Sequence, residues 1–127
     1  MEPDKRRHQA DSNNKDSVIS LAVLSNRNLA SGLDGGMISI RDLKTGKSLR
    51  ELIGHTYVVF DLLLLPDGRL ASASNDATIR IWNTETGKQL NVLRGHTQCV
   101  FALTMQPEGK TLFSGSDDKT VRVWSSY

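Results

Sequence analysis

The nine residues NDATIRIWN, at positions 75–83, return as DDKTVRVWS at positions 117–125. In both copies a polar pair precedes an alternation of Ile or Val with polar residues that ends at a tryptophan. Alternation with a period of two predicts a strand with one buried face, and the polar pair predicts a tight turn before it. Because the same turn and strand occur twice, the sequence indicates a repeat protein.

The repeat extends well beyond these nine residues. The tripeptide GHT at 54–56 recurs 41 residues later at 95–97, and Ser72 recurs 42 residues later as Ser114. A weaker third copy lies upstream, where Ser31 stands 41 residues before Ser72. We therefore recognise three units, of which the first is degenerate.

Strand and turn signals alternate within each unit. In the second unit, the segments VVFDLLLL, RLASAS, TIRIW and KQLNVL favour strands, and the sequences PDG, NDA and TETG between them favour turns. Four strands in about 40 residues are typical of a propeller blade. The sequence thus predicts an all-β fold of about three four-stranded antiparallel blades, the last without its outer strand.

We divide the chain on this basis into a tail and three blades. Residues 1–15 are charged and poor in β-branched side chains, so we expect them to be disordered. Residues 16–53 form a degenerate first blade, residues 54–94 a second, and residues 95–127 a third that lacks its outer strand. Propellers usually have about four to eight blades, so three leave the ring incomplete.

Composition excludes several classes of protein. A formal net charge of +2 is too small to indicate nucleic-acid binding, and the longest apolar run, four leucines at 62–65, is too short to span a membrane. The single cysteine, Cys99, cannot form an internal disulfide, and the N-terminal residues lack the apolar stretch of a signal peptide. We expect an intracellular protein, cytoplasmic, with the nucleus as the alternative.

At the repeated residues the chain resembles the WD-repeat (WD40-type) β-propeller family. The resemblance covers about residues 16–125. It rests on the Gly-His pairs at 54–55 and 95–96, on Trp82-Asn83 and Trp124-Ser125 at the family's Trp-Asp position, and on the Asp-x-Thr turns at 76–78 and 118–120. Because one fold supports many functions, this resemblance is more specific for the fold than for the function.

The resemblance implies a structural role for the recurring polar residues. It implies that a histidine, a serine, an aspartate and a tryptophan form one hydrogen-bonded tetrad in each of two blades. These tetrads are His55, Ser72, Asp76 and Trp82 in the second blade and His96, Ser114, Asp118 and Trp124 in the third. Buried polar groups are stable when paired in this way, and such networks make a structure rigid.

The first unit departs from this pattern. Asn14, Gly35 and Arg41 stand at the positions of the histidine, the aspartate and the tryptophan, and only Ser31 is retained. We therefore expect the first blade to lack a tetrad and to be the least rigid of the three.

Catalytic and metal-binding interpretations of the same residues are weaker. A hydrolase could use serine, histidine and aspartate, but a catalytic site is usually built once, and these residues recur. The nucleophile elbow G-x-S-x-G is absent from the sequence. His96 and Cys99 lie at a ligand spacing but are too few for a zinc site. We predict no catalytic residues, no metal and no cofactor.

The resemblance also implies a docking surface at the loops that precede the inner strands. The residues expected there are Ile19, Asp34, Val58, Phe60, Asn75, Cys99, Phe101 and Asp117. An apolar cluster rimmed by polar groups suits a protein or peptide partner. The alternative is that Phe60 and Phe101 pack inside the blades, because strand phase read from a sequence is uncertain by one residue.

We therefore predict a non-catalytic scaffold for protein–protein interaction, with no nucleic-acid or membrane partner. One alternative is a fragment of a larger WD-repeat protein without activity of its own, and the other is a propeller-based enzyme domain. An enzyme would need a cluster of ionisable groups that is not repeated, and the sequence contains none.

The incomplete ring predicts self-association or pairing with missing blades. Open flanks expose apolar strand faces, and burying such area is favourable by about 25 cal/mol per Å². Head-to-tail contacts of this kind can close into a ring. We expect size-exclusion chromatography with light scattering to show a dimer, a trimer, a larger assembly or aggregation. A single monomeric peak of 14.0 kDa with cooperative unfolding would contradict this prediction.

Overall fold

The computed structural model describes residues 16–127, which form eleven strands and no helix. Residues 1–15, for which disorder is predicted, and Asn14 among them lie outside the described residues. The strands are β1 (Val18–Val23), β2 (Asn28–Leu33), β3 (Ile38–Asp42), β4 (Ser48–Leu52), β5 (Val59–Leu64), β6 (Leu70–Ser74), β7 (Ile79–Trp82), β8 (Gln89–Leu93), β9 (Val100–Met105), β10 (Leu112–Ser116) and β11 (Val121–Trp124).

The strands form three antiparallel sheets in chain order. Blade 1 contains β1 to β4, blade 2 contains β5 to β8, and blade 3 contains β9 to β11. The predicted all-β fold of three antiparallel blades, with a third blade of three strands, is confirmed. The sheets do not close into a ring.

Side chains of the turns explain why the third strand folds back into a fourth. In blade 2, Asn83 Oδ1 accepts hydrogen bonds from the N–H groups of Glu85 and Thr86, at 2.9 and 3.1 Å. In blade 1, Asp42 Oδ1 likewise accepts hydrogen bonds from the N–H groups of Lys44 and Thr45, at 2.7 and 3.0 Å. Asn and Asp favour turns because they bond the backbone ahead of them in this way. The residue after the tryptophan position therefore initiates the outer turn.

Two hydrophobic clusters join the blades. Between blades 1 and 2, Ile38 and Ile40 pack with Leu62, Leu70 and other buried side chains. Between blades 2 and 3, a second cluster contains Leu65, Ala71, Ala73, Ile79, Ile81, Leu93, Val100 and Leu112. Blade 2 thus buries both of its faces, whereas blades 1 and 3 each have one neighbour among the described residues.

Polar contacts between inner strands supplement this packing. Ser20 Oγ–H donates to the carbonyl oxygen of Val59 at 2.9 Å, which links blade 1 to blade 2. The N–H of Leu103 donates to Asp61 Oδ2, also at 2.9 Å, which links blade 3 to blade 2. Both bonds lie beside the hydrophobic clusters, so each interface combines apolar contact with a directional hydrogen bond.

Arginine side chains make further links between neighbouring parts of the array. Arg50 Nη1 donates to the carbonyl oxygen of Thr84 at 2.8 Å, from blade 1 to the outer turn of blade 2. Arg69 Nη1 donates to the carbonyl oxygen of Tyr127 at 2.9 Å, and its guanidinium carbon lies 5.3 Å from the centre of the Tyr127 ring. The two contacts of Arg69 tie Tyr127 to blade 2.

Apolar side chains are exposed on both flanks of the array. On blade 1, Val18, Leu21 and Val23 are 49%, 60% and 59% exposed. On blade 3, Val121 and Val123 are 72% and 62% exposed, although the equivalent Ile79 and Ile81 of blade 2 are fully buried. These exposed faces are the feature on which the prediction of self-association depends.

Two equivalent glycines provide a test of the interface between blades 1 and 2. A Cβ atom on Gly32 would lie 2.2 Å from Ser20 Oγ and 2.8 Å from Val59 Cγ1, whereas one on Gly115 would meet only Ala102 Cβ, at 3.6 Å. We expect Gly32→Ala to destabilise the chain by about 1–3 kcal/mol through overpacking.

Gly115→Ala is the matched control, and we expect it to be neutral or stabilising by about 0.5–1 kcal/mol, because alanine costs less backbone entropy in a strand. Chemical denaturation of both variants measures the difference. Equal effects of the two substitutions would show that the contact at Gly32 does not constrain the interface.

Candidate functional site

Four polar side chains of blade 2 meet in one hydrogen-bonded chain. Trp82 Nε1–H donates to Ser72 Oγ at 2.8 Å, Ser72 Oγ lies 2.6 Å from His55 Nε2, and His55 Nδ1 lies 2.8 Å from Asp76 Oδ2. A carboxylate can only accept, so Nδ1 carries a proton, and in a neutral histidine Nε2 then accepts from the serine hydroxyl. The donors then run in one direction, from tryptophan to aspartate.

This chain connects parts of the blade that are distant in sequence. His55 lies in the loop before β5, Ser72 in β6, Asp76 in the turn after β6, and Trp82 at the end of β7. Ser72 is fully buried, and Trp82 is 1% exposed. The N–H of Thr56 also donates to Asp76 Oδ2 at 3.1 Å. The network therefore holds the entry loop against the turn and the middle of the sheet.

Blade 3 contains an equivalent network with similar geometry. Trp124 Nε1–H donates to Ser114 Oγ at 2.9 Å, Ser114 Oγ lies 2.7 Å from His96 Nε2, and His96 Nδ1 lies 2.8 Å from Asp118 Oδ2. Its outer end is less enclosed than in blade 2, because Trp124 is only half-buried. The difference coincides with the fourth strand, which blade 2 has in β8 and the described part of blade 3 does not.

Hydrogen bonding keeps both aspartates ionised. Burial raises the pKa of Asp76, but hydrogen bonds from His55 and Thr78 outweigh it, so this pKa lies well below the ordinary value of 3.8. Desolvation also raises the pKa of Asp118, and hydrogen bonds from Thr120 and His96 again make the net shift downward. A carboxylate that accepts several hydrogen bonds is stabilised in its charged form.

Blade 1 has a different arrangement at the tetrad positions. Arg41, at the position of Trp82, is buried and donates from Nη2 to Ser39 Oγ at 3.0 Å. Beside Gly35, at the position of Asp76, a Cβ atom would lie 2.6 Å from Asp16 Oδ2. A carboxylate from the preceding segment therefore occupies the space near this turn, which the sequence analysis did not foresee.

The apolar residues predicted for docking lie at irregularities of the inner strands. The pairing of β1, β5 and β9 with their neighbours shifts register at Ile19, Phe60 and Phe101, respectively. These side chains are 42%, 36% and 46% exposed, whereas Val59 and Val100 beside the two phenylalanines are fully buried. A bulge re-aims a side chain, which accounts for the outward position of both rings. Phe60 and Phe101 are therefore not enclosed in the blades.

Backbone hydrogen bonds bring the remaining predicted docking residues next to these positions. The N–H groups of Asp34, Asn75 and Asp117 donate to the carbonyl oxygens of Ser17, Val58 and Cys99, at 2.9 to 3.0 Å. Asp34, Asn75 and Asp117 are exposed, and Val58 and Cys99 are half-buried. The eight residues therefore lie at the same end of their blades, which we call the rim. Their role in partner binding stays a prediction.

Tyr57 also lies at the rim, and the sequence analysis missed it. Its side chain is 59% exposed, and its carbonyl oxygen accepts a hydrogen bond from Ser74 Oγ at 3.0 Å. Gln98 occupies the equivalent place in blade 3 and accepts from Ser116 Oγ at 3.2 Å. An aromatic residue directly after the GHT tripeptide was the signal that could have identified Tyr57.

The Cys99 thiol is held in its protonated form. Burial raises its pKa, and the nearby carboxylate of Asp117 raises it further. Since the thiolate is the reactive form of cysteine, this environment disfavours nucleophilic chemistry at the rim.

Within residues 16–127, no three His, Cys, Asp or Glu side chains are grouped so that they could hold a metal ion. The same residues contain no helix of the length and apolarity that a membrane crossing requires.

The sequence matches the family profile described as WD domain, G-beta repeat, at residues 46–83 and 87–125. The chain belongs to the WD40 family. Among solved structures, its fold is similar to that described as the structure of U3-55K, with a TM-score of 0.82 and 25% sequence identity. The similarity covers 88% of this chain and 37% of that one, so the chain spans well under half of its structural neighbour. A search of curated protein sequences gives no match.

The WD40 family has a typical role, and its matched segments include the recurring polar residues. WD40 repeats generally mediate protein–protein interaction, and members of the family are typically non-catalytic scaffolds. The two matched segments contain all eight residues of the hydrogen-bonded networks in blades 2 and 3. The first matched segment begins at residue 46, after the Arg41 position at which blade 1 departs from the WD40 pattern.

The two tryptophans should differ in their contribution to stability. We expect Trp82→Ala to lower the free energy of unfolding by about 3–5 kcal/mol, since it removes a buried ring and leaves Ser72 without its donor. Trp124→Ala should cost less, because Trp124 is only half-buried. Urea denaturation of both variants gives the comparison. A larger loss of stability for Trp124→Ala would mean that burial of the tryptophan ring does not determine how much this position contributes to the free energy of unfolding.

The aspartates should make stability depend on acid pH. Since their pKa values in the folded chain lie below the ordinary 3.8, their contribution is fully present above that pH. It is lost as the pH falls from there towards the lowered values. We expect the urea midpoint of the wild-type chain to fall over this range and that of the Asp76→Asn, Asp118→Asn double variant to change less. Asp34→Asn, in an exposed loop, is the control and should follow the wild type.

Proposed function

We propose that this chain is a non-catalytic interaction module that binds an extended peptide or a protein loop at its rim. The observation that carries the proposal is the register shift at the start of each inner strand. It occurs in all three blades and turns Ile19, Phe60 and Phe101 outward. A strand that only had to pack its neighbours would have no need of an exposed apolar residue at this same place three times.

The rim has the composition of a protein-binding surface. Two exposed aromatic rings stand among half-buried apolar positions, and the exposed polar side chains of Asp34, Asn75 and Asp117 lie at the same end of the blades. Interface energy is usually concentrated in a few aromatic residues that become fully desolvated, with polar groups around them. Here the rings supply such anchors, and the polar residues can bond the backbone of a partner.

The networks beneath the rim support it mechanically. In blade 2, Asp76 bonds His55 and the N–H of Thr56, and the adjacent Asn75 bonds the carbonyl of Val58. The loop before Phe60 is thus held from two directions. A rigid surface loses little conformational entropy when a partner binds, which favours affinity.

Burial of the same networks favours binding over hydrolysis as the function. Ser72 is fully buried, and Ser114 is 2% exposed. A nucleophilic hydroxyl has to reach a substrate carbonyl, and these hydroxyls contact histidine and tryptophan instead. We therefore propose that the Ser, His and Asp groups serve structure and not catalysis.

Peptide selection tests the function of the rim. Peptides selected on the wild-type chain from a displayed library should lose affinity for Phe60→Ser and Phe101→Ser, because truncating an aromatic anchor commonly costs about 2 kcal/mol, or about thirtyfold in Kd. Isothermal titration calorimetry measures the loss.

Leu49→Ser and Leu90→Ser are the matched controls, because these leucines are 40% and 45% exposed on outer strands. We expect both controls to retain affinity and all four variants to melt close to the wild type. Peptides that bind the four variants equally well would overturn the proposal. A large loss of melting temperature for the phenylalanine variants alone would instead assign both rings to the folded core.

A further inference from the structure

The rim repeats one pair of positions in each blade, an outward side chain at the register shift and the residue that follows the second strand. The pairs are Ile19 with Asp34, Phe60 with Asn75, and Phe101 with Asp117. The three pairs occupy equivalent places, but their chemistry differs. Within residues 16–127, only blade 3 combines an aromatic ring with a carboxylate at this pair.

The backbone of blade 3 places the carboxylate of Asp117 beside the start of β9. The N–H of Asp117 donates to the carbonyl oxygen of Cys99 at 3.0 Å. The negative charge of Asp117 also contributes to the raised pKa of the Cys99 thiol, so the carboxylate lies close enough to interact with this side chain. Phe101 follows two residues later at the register shift and is 46% exposed. The ring and the carboxylate therefore lie at the same end of the inner strand.

The charge of Asp117 is not compensated within the described part of the chain. Its side chain is exposed, and among residues 16–127 its carboxylate forms neither a hydrogen bond nor an ion pair, not even with Lys119 in the same turn. The carboxylate of the adjacent Asp118, by contrast, bonds His96 and Thr120. The turn thus contains one aspartate that serves the fold and one that is available to a partner.

A ring and a carboxylate side by side favour a positively charged group. The face of an aromatic ring attracts a cation, and an arginine guanidinium can stack on a ring while its N–H groups bond a carboxylate. A lysine ammonium can contact both groups as a point charge. An apolar side chain in the same place would take Asp117 out of water without giving it a partner, which costs free energy.

Blade 2 provides the same arrangement without the charge. The N–H of Asn75 donates to the carbonyl oxygen of Val58 at 3.0 Å, as that of Asp117 does in blade 3, and Phe60 stands at the register shift. The amide of Asn75 is neutral and offers both a donor and an acceptor. This position therefore suits a neutral side chain or a backbone amide of a partner.

We propose that the peptide or protein loop bound at the rim presents an arginine or lysine to Phe101 and Asp117 and neutral residues to Phe60 and Asn75. The proposal rests on the function proposed above and adds the chemistry of the partner. Because the two aromatic positions differ in charge, a segment with its basic residue on one side binds in one direction along the rim.

Selection from a displayed library of random peptides tests this preference with the full chain. We expect peptides selected on the wild type to be enriched in arginine and lysine, and those selected on Asp117→Asn to lack this enrichment. Asn75→Asp places a second carboxylate beside a ring, so its peptides should carry a second basic residue. Each substitution introduces a residue that another blade has at the equivalent position, so both variants should melt close to the wild type.

A double-mutant cycle measures the contact itself. One peptide selected on the wild type is compared by calorimetry with a variant that has glutamine in place of its basic residue. We expect the glutamine peptide to bind the wild type about tenfold more weakly and to bind Asp117→Asn about as well as its parent does. Glu108→Gln, exposed at the opposite end of blade 3, removes the same charge and should bind both peptides like the wild type.

The outcomes separate this proposal from the proposed function. Peptides that lose affinity for Phe60→Ser and Phe101→Ser but show no enrichment in basic residues would overturn the proposal and leave the function of the rim standing. An equal effect of the glutamine replacement on the wild type and Asp117→Asn would do the same. A preference that Glu108→Gln also abolishes would assign it to the overall charge of the chain. Peptides indifferent to both phenylalanine substitutions would overturn the proposed function and this proposal with it.

Discussion

A serine hydroxyl that is fully buried is the constraint on which the architecture of blade 2 depends. Ser72 accepts a hydrogen bond from Trp82 and donates to His55, and His55 in turn bonds Asp76. Without these partners the buried hydroxyl would have lost its hydrogen bonds to water and gained none in the protein, which would destabilise the fold. The entry loop, the inner turn and the end of the third strand therefore adopt their positions together. Blade 3 applies the same constraint through Ser114.

The same constraint shapes the rim, the surface at which we propose that a partner binds. The networks hold the entry loops at one end of the blades, and the register shifts turn Ile19, Phe60 and Phe101 outward there. The extended peptide or protein loop proposed to bind at the rim would be recognised there mainly through its contacts with these apolar side chains.

The parts of the fold that the sequence predicts are those governed by local or repeated signals. Alternation in TIRIW and VRVW, and the turn residues between strands, identify the blades because each signal lies within a few residues. The register shift at Phe60 could not be read in this way, because a bulge is a property of two paired strands. The hydrogen bond from Ser20 to Val59 could not be predicted either, because the serine does not recur in the repeat. Ala102 stands at the equivalent position of blade 3. The position of Asp16 beside Gly35 could not be predicted from the repeat, because blade 1 lacks the repeated aspartate at this turn.

Packing between blades has a consequence for how the chain loses its structure. Across residues 16–127, the strand packing between blades joins blade 1 to blade 2 and blade 2 to blade 3. The array then behaves as a one-dimensional lattice, in which each unit has an intrinsic free energy and a coupling to its nearest neighbours. Blade 2 has two couplings and each outer blade has one. Heat or denaturant should therefore fray the array from its ends, and the last cooperative unit to melt is the one in the middle.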